Sequence, residues 1–105
     1  HRAKELILLA DIIDAKEAER IGLVNRVTPH EELDGFVDDW ARRLAAGPPL
    51  ALAMSKRMLN NTFSMTLSEA LDAEGMAQSV NFGSKDTREA IQAFLEKRQP
   101  SFRGR

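Results

Sequence analysis

Residues 66–100, TLSEALDAEGMAQSVNFGSKDTREAIQAFLEKRQP, contain the clearest helix signals in the chain. Thr66 is a good helix-capping residue, and Glu69, three positions later, completes the capping-box pattern. Gly83 follows at a distance that suits a helix end. The spacing therefore predicts a helix over residues 66–83. Its predicted apolar face consists of Leu67, Ala70, Leu71, Ala77 and Val80.

The second half of this stretch repeats the pattern. Asp86 and Glu89 have the spacing of another capping box, and Pro100 cannot continue a helix. We therefore expect a last helix between Asp86 and Pro100. Its single apolar stripe is expected to consist of Ala90, Ile91, Phe94 and Leu95. In the preceding helix, Gly75 costs about 1 kcal/mol relative to alanine, so we expect something to pack closely against it.

A capping box also opens a short helix near the N-terminus. Asp14 is its capping residue and Glu17 is the partner, and together they predict a helix over residues 15–21. Gly22 suits the left-handed position that follows a helix end. Residues 23–27, LVNRV, are the only β-like stretch, and we expect an extended connector or a small edge strand there.

A longer helix is predicted to follow this connector and to end near residue 46. Thr28 is its expected capping residue, with Glu31 as the partner. Pro29 would occupy the first helical position, where a missing N–H costs nothing. The apolar stripe of this helix consists of Leu33, Phe36, Val37, Trp40 and Leu44.

Two further segments complete the helical pattern. Residues 3–10 have the apolar content of the end of a helix, and residues 50–61 form a helix after a Gly-Pro-Pro break. The inner face of the second segment is expected to consist of Ala53, Met54 and Met58. We predict an all-α segment of four to five helices with at most one short strand. Narrow stripes rich in Ala and Met are typical of helices that dock onto something larger.

Composition limits the classes of function. The chain has 105 residues, enough for one small domain, and 43% of them are hydrophobic, as in ordinary globular proteins. A formal net charge of -1 gives no general attraction to nucleic acid or to an anionic membrane. No segment has the length of a membrane span or the pattern of a secretory signal. The absence of cysteine favours a reducing, cytoplasmic setting. Because the chain begins with His1 inside a predicted helix, we expect an upstream part.

Few residues have a pattern that indicates catalysis. His1 and His30 have no partner at metal-ligand spacing, and no zinc, calcium or glycine-rich phosphate-binding pattern is present. The serines have no histidine at a spacing that indicates a hydrolase triad. Glu74 lies near the apolar face of its helix. We expect it to be a partly buried carboxylate paired with Arg or Lys, with catalysis as the alternative.

The C-terminal region offers one candidate binding pair. Phe94 and Lys97 are one helical turn apart, so they can share a surface that offers a stacking ring and a cation for a phosphate. The alternative is that Phe94 belongs to the core. The basic residues at the end of the chain are expected to form a solvated, frayed tail; they are Lys97, Arg98, Arg103 and Arg105.

Three motifs in order resemble the enoyl-CoA hydratase/isomerase, or crotonase, family. Residues 15–27, AKEAERIGLVNRV, resemble its short helix and the GLVN-V pattern. Pro48 and Pro49, followed by Lys56, resemble its PP…K helix, in which we expect Lys56 to be structural. Residues 93–102, AFLEKRQPSF, resemble its AF-EKR-P-F terminus. The resemblance covers essentially the whole chain.

This resemblance implies a C-terminal helical part of a crotonase-like α/β fold. In that family, an N-terminal spiral of ββα repeats builds the active site, and the C-terminal helices cover it and form trimers that often pair into hexamers. Its substrates are acyl-CoA thioesters. Two backbone N–H groups stabilise the enolate, and in hydratases two glutamates handle water and proton. Those groups lie upstream of the position that matches His1.

The resemblance also implies a role for the candidate pair. Phe94 and Lys97 match an aromatic residue and a lysine that approach the adenine and phosphate end of coenzyme A. We therefore expect CoA contacts at Phe94 and Lys97, no catalytic residue, no metal and no cofactor besides the thioester substrate. Enoyl-CoA hydratase is the default reaction. The alternative functions are a non-catalytic self-association module and an unrelated helical bundle.

Overall fold

The computed structural model describes residues 1–105 and contains six α-helices and no strand. They are α1 (Arg2–Leu9), α2 (Ala15–Arg20), α3 (Leu33–Ala45), α4 (Pro49–Asn61), α5 (Leu67–Gly83) and α6 (Lys85–Glu96). Single 3-10 turns, His30–Glu32 and Thr62–Ser64, precede α3 and follow α4. The all-α prediction is confirmed, with one helix more than the expected four to five. No helix has both the length and the apolar content needed to cross a membrane.

The chain divides into two compact units, His1–Asp39 and Trp40–Arg105, and the division falls inside α3. In the first unit, the Oδ1 atom of Asp14 accepts a hydrogen bond from the N–H of Glu17 at 2.8 Å, which confirms the predicted cap of α2. The reciprocal half of the box is absent, because the Glu17 carboxylate pairs with Arg20 instead.

Residues 23–27, for which an extended connector or a small edge strand was predicted, form a connector without a strand. Gly22 has the predicted left-handed conformation, with φ of 79°. The N–H groups of Leu23 and Val24 both donate to the carbonyl oxygen of buried Ala18, at 2.8 and 3.3 Å. These bonds turn the chain back over α2, so the main chain of residues 23–24 is not free to pair with a strand.

The prediction that Thr28 caps the next helix is wrong. Pro29 has an extended backbone, with ψ of 147°, so it cannot be the first helical residue. The chain instead enters α3 through the 3-10 turn, in which the N–H of Glu32 donates to the carbonyl of Pro29 at 3.0 Å. The Thr28 hydroxyl is buried and has no hydrogen-bond partner, and Glu31 closes no box. No residue of α3 is buried, so its apolar stripe is largely exposed.

In the second unit, α4 packs against α5, and α5 packs against α6. The buried apolar residues of this unit are alanines, Ala77 on α5 and Ala93 on α6. Met54 and Met58 of α4 face inward as predicted and are half-buried. Ala53 is exposed, contrary to the prediction, because Ala51 takes the inner position one turn before Met54. Small side chains at these contacts allow the helix axes to come close together.

Helix α5 begins with the complete capping box that the sequence predicts. The Thr66 hydroxyl accepts the N–H of Glu69 at 3.3 Å, and the Glu69 carboxylate accepts the N–H of Thr66 at 2.7 Å. Of the predicted apolar face only Ala77 is buried; Leu67, Leu71 and Val80 are exposed, as are Met76 and Phe82. Apolar residues on several sides are typical of a helix that is buried within a larger protein. The space expected to be filled beside Gly75 is open within this chain.

Helix α6 begins two residues earlier than predicted. Its capping residue is Ser84, whose hydroxyl oxygen accepts the N–H of Thr87 at 3.1 Å. The predicted box of Asp86 and Glu89 is wrong, because both carboxylates bind the C-terminal tail instead. One complete box therefore exists where four were predicted. Of the predicted stripe of α6, Ala90 is half-buried, whereas Ile91, Phe94 and Leu95 are exposed within this chain; the buried residue, Ala93, was not predicted.

Candidate functional site

The structure brings the two predicted site residues together at the C-terminal end of α6. Phe94 lies in the last turn of the helix and is 82% exposed, so the alternative of a core phenylalanine does not hold within this chain. Lys97 follows as the capping residue and is exposed. The N–H of Lys97 donates to the carbonyl of Phe94 at 3.2 Å. A flat apolar ring and a cation thus flank one exposed turn.

This turn is a Schellman motif with an unusual residue at its centre. The N–H of Arg98 donates to the carbonyl of Ala93 at 3.0 Å, and the bond from Lys97 to Phe94 closes the inner ring. Lys97 has φ of 55°, in the left-handed region, where glycine is usual and other residues are strained. A lysine therefore occupies a position at which glycine would be the more stable choice.

Arg98 is held from two sides by carboxylates. Its Nη1 and Nη2 atoms donate to the two oxygens of Glu89 at 2.6 and 3.0 Å. Its Nε atom donates to Glu96 at 2.6 Å. Glu89 also accepts the main-chain N–H of Ser101 at 2.9 Å. The guanidinium of Arg98 and then the Ser101 N–H lower the pKa of Glu89 to about 2.

The rest of the tail is fastened to the beginning of α6. Asp86 is 6% exposed, and its carboxylate accepts the N–H groups of Arg103 and Gly104 at 2.8 and 2.7 Å. In return, the N–H groups of Lys85 and Asp86 donate to the main-chain oxygen of Arg105 at 2.6 and 3.2 Å. The expectation of a frayed tail is therefore wrong, because these bonds satisfy the free donors of the α6 N-terminus.

The sequence reasoning missed this set of tail contacts. The available signal was a pair of acids on α6, Asp86 and Glu89, that lie one turn apart and precede a basic tail. The same spacing is typical of a capping box, so the sequence alone predicts a box at these two acids. Glu74, by contrast, is exposed on α5, so the predicted position at a buried edge is wrong. His1 and His30 are exposed, and no group of side chains with metal-binding chemistry comes together in this chain.

A second surface feature lies between α4 and α5. It is an open groove of about 650 Å³ that is lined by all four methionines of the chain, Met54, Met58, Met65 and Met76. Arg57, Glu69 and Asp72 also line it. Methionine side chains adapt readily to an apolar partner.

Comparison with known proteins identifies relatives along the whole chain. The model of a family described as enoyl-CoA hydratase/isomerase matches residues 1–105. The chain is 40% identical over 100 residues to a crotonyl-CoA hydratase of Syntrophomonas wolfei, covering 95% of this chain and 38% of that protein. It is 38% identical over 107 residues to methylmalonyl-CoA decarboxylase of Escherichia coli, covering 99% of this chain and 41% of that protein.

Solved structures agree with these relatives. An enoyl-CoA hydratase from Bacillus anthracis superposes with a TM-score of 0.93 at 36% identity, over 99% of this chain and 40% of that one. An enoyl-CoA hydratase from Polaromonas gives a TM-score of 0.89 at 35% identity, over 96% of this chain and 39% of that one. The chain thus spans well under half the length of the proteins that it matches. The fold is a helical segment of the one that these structures contain.

Proposed function

The chain belongs to the enoyl-CoA hydratase/isomerase family, and from this membership we propose that it is the C-terminal part of an enzyme that adds water to a 2-enoyl-CoA. Relatives named as hydratases support this reaction, among them a crotonyl-CoA hydratase and a short-chain-enoyl-CoA hydratase from Clostridium acetobutylicum. Decarboxylation is the competing reaction, because one relative is a methylmalonyl-CoA decarboxylase.

The segment contributes part of the coenzyme A site through Phe94 and Lys97. The observation that carries this proposal is one exposed turn that contains both the Phe94 ring and the Lys97 cation, joined by a main-chain hydrogen bond of 3.2 Å. An aromatic face stacks on an adenine, and an ammonium group attracts phosphate oxygens. The strained backbone of Lys97 supports the assignment, since strain in a native structure is often retained where it serves function.

The test is the KM for the thioester in the full-length protein. We expect Phe94→Ala to raise KM by about five-fold or more, the scale of one lost stacking contact. Lys97→Ala should also raise KM, with kcat changed much less, because both residues act far from the reacting carbons. Phe94→Trp keeps a stacking surface and should retain most of the affinity. Lys16→Ala, at an exposed lysine on α2, is the matched control. An unchanged KM in both alanine variants would remove the proposed CoA contact.

We assign no catalytic residue to this chain, so it should be inactive alone. The 105-residue polypeptide is expected to leave a short 2-enoyl-CoA unhydrated, as monitored by the absorbance of the conjugated thioester. Measurable hydration of a short 2-enoyl-CoA by the purified chain would refute this assignment. Conversion of a malonyl-type thioester to CO2 and the corresponding saturated acyl-CoA by the full-length protein, with a proton taken up at the α-carbon and no hydration of a 2-enoyl-CoA, would favour a decarboxylase.

Self-association is the second part of the proposal, with a trimer or hexamer as the expected assembly. The exposed apolar side chains of α5 and the methionine groove support it, because soluble monomers rarely leave such surfaces uncovered. The same observation supports the alternative of a non-catalytic self-association module. Sedimentation of the chain distinguishes them from a simple monomer: a well-folded monomer would count against both. Hydratase activity in the full-length assembly would then exclude the non-catalytic alternative.

The cytoplasm remains the proposed location. The absence of cysteine is compatible with a reducing compartment. The enoyl-CoA hydratase of Pongo abelii, 34% identical over 101 residues, is named as mitochondrial. Cell fractionation with an antibody to the protein would decide between the two compartments.

A further inference from the structure

The structure points to Arg98 as a positioning residue that holds Phe94 and Lys97 in the geometry needed to contact the ligand. This inference rests on the proposed CoA contact at those two residues. The guanidinium of Arg98 is paired with Glu89, so Arg98 acts through the turn and not on the ligand.

The turn at Lys97 needs an interaction from outside the turn to keep its conformation. Lys97 has a backbone conformation that lysine disfavours, with φ of 55°. Without a stabilising interaction, the backbone of Lys97 would relax to a right-handed or extended conformation. The Lys97 side chain would then point in a different direction. The bond from the Arg98 N–H to the carbonyl of Ala93 opposes this change. Ala93 is 1% exposed, so water cannot easily replace that bond.

The side chain of Arg98 limits the movement of the Arg98 main chain by binding Glu89. Two N–H groups of the guanidinium meet both oxygens of Glu89, at 2.6 and 3.0 Å. A paired arrangement of this kind sets an angle as well as a distance. Glu89 stands on the rigid body of α6, two turns before Lys97. Arg98 directly follows the strained Lys97, and its side chain binds Glu89 on the same helix. The position of the main chain after Lys97 is thereby fixed relative to α6.

The pair of Arg98 and Glu89 acts only on the turn around Lys97. Ser101 shares Glu89 with Arg98, whereas Arg103 and Gly104 are held by Asp86. Loss of the Arg98 side chain should therefore loosen the turn around Lys97 while leaving the last residues attached. Hydrogen exchange separates the two regions: the N–H of Arg98 should exchange faster in Arg98→Ala, and those of Arg103 and Gly104 should not.

The deciding experiment is a mutant cycle on KM in the full-length protein. We expect Arg98→Ala to raise KM for the 2-enoyl-CoA by about three-fold or more with kcat largely retained. In a protein that already carries Phe94→Ala and Lys97→Ala, the same change should have no further effect. Glu89→Gln should give a smaller rise, and Arg98→Lys should restore little, because lysine lacks the two-pronged geometry. Arg20→Ala, which breaks the exposed pair with Glu17 on α2, is the matched control and should leave KM unchanged.

Each outcome bears on one of the two claims. If the Phe94 and Lys97 variants raise KM but Arg98→Ala and Glu89→Gln do not, the positioning role is refuted and the CoA contact stands. If Arg98→Ala raises KM equally with and without the Phe94 and Lys97 changes, its effect does not pass through the turn, and the inference is also refuted. If the Phe94 and Lys97 variants leave KM unchanged, the CoA contact fails and the inference fails with it. Should Arg98→Ala not fold, Glu89→Gln is measured through the same cycle.

Discussion

The carboxylate of Asp86 accepts the main-chain N–H of Gly104 at 2.7 Å across eighteen residues of sequence. It accepts the N–H of Arg103 as well, and it is almost fully buried. A helix that would otherwise begin with free donors is thereby joined to the end of the chain. The stability of this end of the second unit should depend on that one side chain.

We predict that Asp86→Ala lowers the free energy of unfolding by about 2–3 kcal/mol, because two main-chain N–H groups lose the charged acceptor that the buried Asp86 provides. Urea denaturation of the two proteins measures the difference. Asp72→Ala, at an exposed acid on α5, is the control and should change stability by less than about 0.5 kcal/mol. Equal stability of Asp86→Ala and the parent protein would contradict the assigned contacts.

The low pKa of Glu89 predicts a dependence of stability on pH. Arg98 and the Ser101 N–H hold this pKa at about 2 when the chain is folded, below the 4.5 of the free group. Between these two values the unfolded chain binds the extra proton, so the contribution of Glu89 is complete above pH 4.5 and is lost as pH falls towards 2. Unfolding curves of the parent and Glu89→Gln should therefore converge across that window on acidification. Parallel curves would exclude the ion pair.

Lys97→Gly should separate stability from binding. Glycine adopts the left-handed conformation without strain, so we expect the free energy of unfolding to rise by about 1 kcal/mol. The same change removes the cation, so KM for the CoA thioester should rise. Thermal unfolding and steady-state kinetics on one preparation measure both quantities. A variant that is less stable than the parent would show that the turn is not strained at Lys97.

Two glycines should respond to alanine in opposite directions. Gly22 has a positive φ, so Gly22→Ala should destabilise the protein by about 1 kcal/mol. Gly75 lies inside α5 with open space around its missing Cβ, so Gly75→Ala should stabilise the helix by about 0.5–1 kcal/mol. Denaturant unfolding of both variants gives the comparison. Destabilisation by Gly75→Ala in the full-length protein would reveal a neighbour that this chain does not contain.

Local signals in the sequence predicted the helices well because caps and breakers act over a few residues. Thr66 with Glu69, Asp14 and Gly22 have the predicted roles, and the helix after the Gly-Pro-Pro break begins at the second proline. The predictions failed where a side chain with the spacing of a helix cap instead binds residues that are distant in sequence. Asp86 and Glu89 have the spacing of a box, but a tail more than ten residues away supplies their donors.

Inner and outer faces were harder to predict than helix positions. Helices with apolar residues on more than one side do not indicate which side packs within the chain. The structure buries the alanines, Ala77 and Ala93, and leaves larger neighbours such as Leu71 and Phe94 outside. Close packing of helix axes favours the small residues, and that preference depends on tertiary geometry. Phe94 and Lys97 are a prediction from spacing and resemblance, whereas the pairing of Arg98 with Glu89 joins residues nine positions apart and leaves no local signal in the sequence.

The attachment of Arg98 to Glu89 also limits how this part of the chain can change in length. Each residue of an α-helix adds 1.5 Å and turns the chain by about 100°. One inserted or deleted residue between positions 89 and 97 would rotate Arg98 by about 100° around the axis of α6 relative to Glu89 and break the pair. Substitutions there can accumulate gradually, but insertions and deletions should be excluded from this interval. The end of α6 works as a fixed-length spacer, with a carboxylate at one end and a guanidinium at the other.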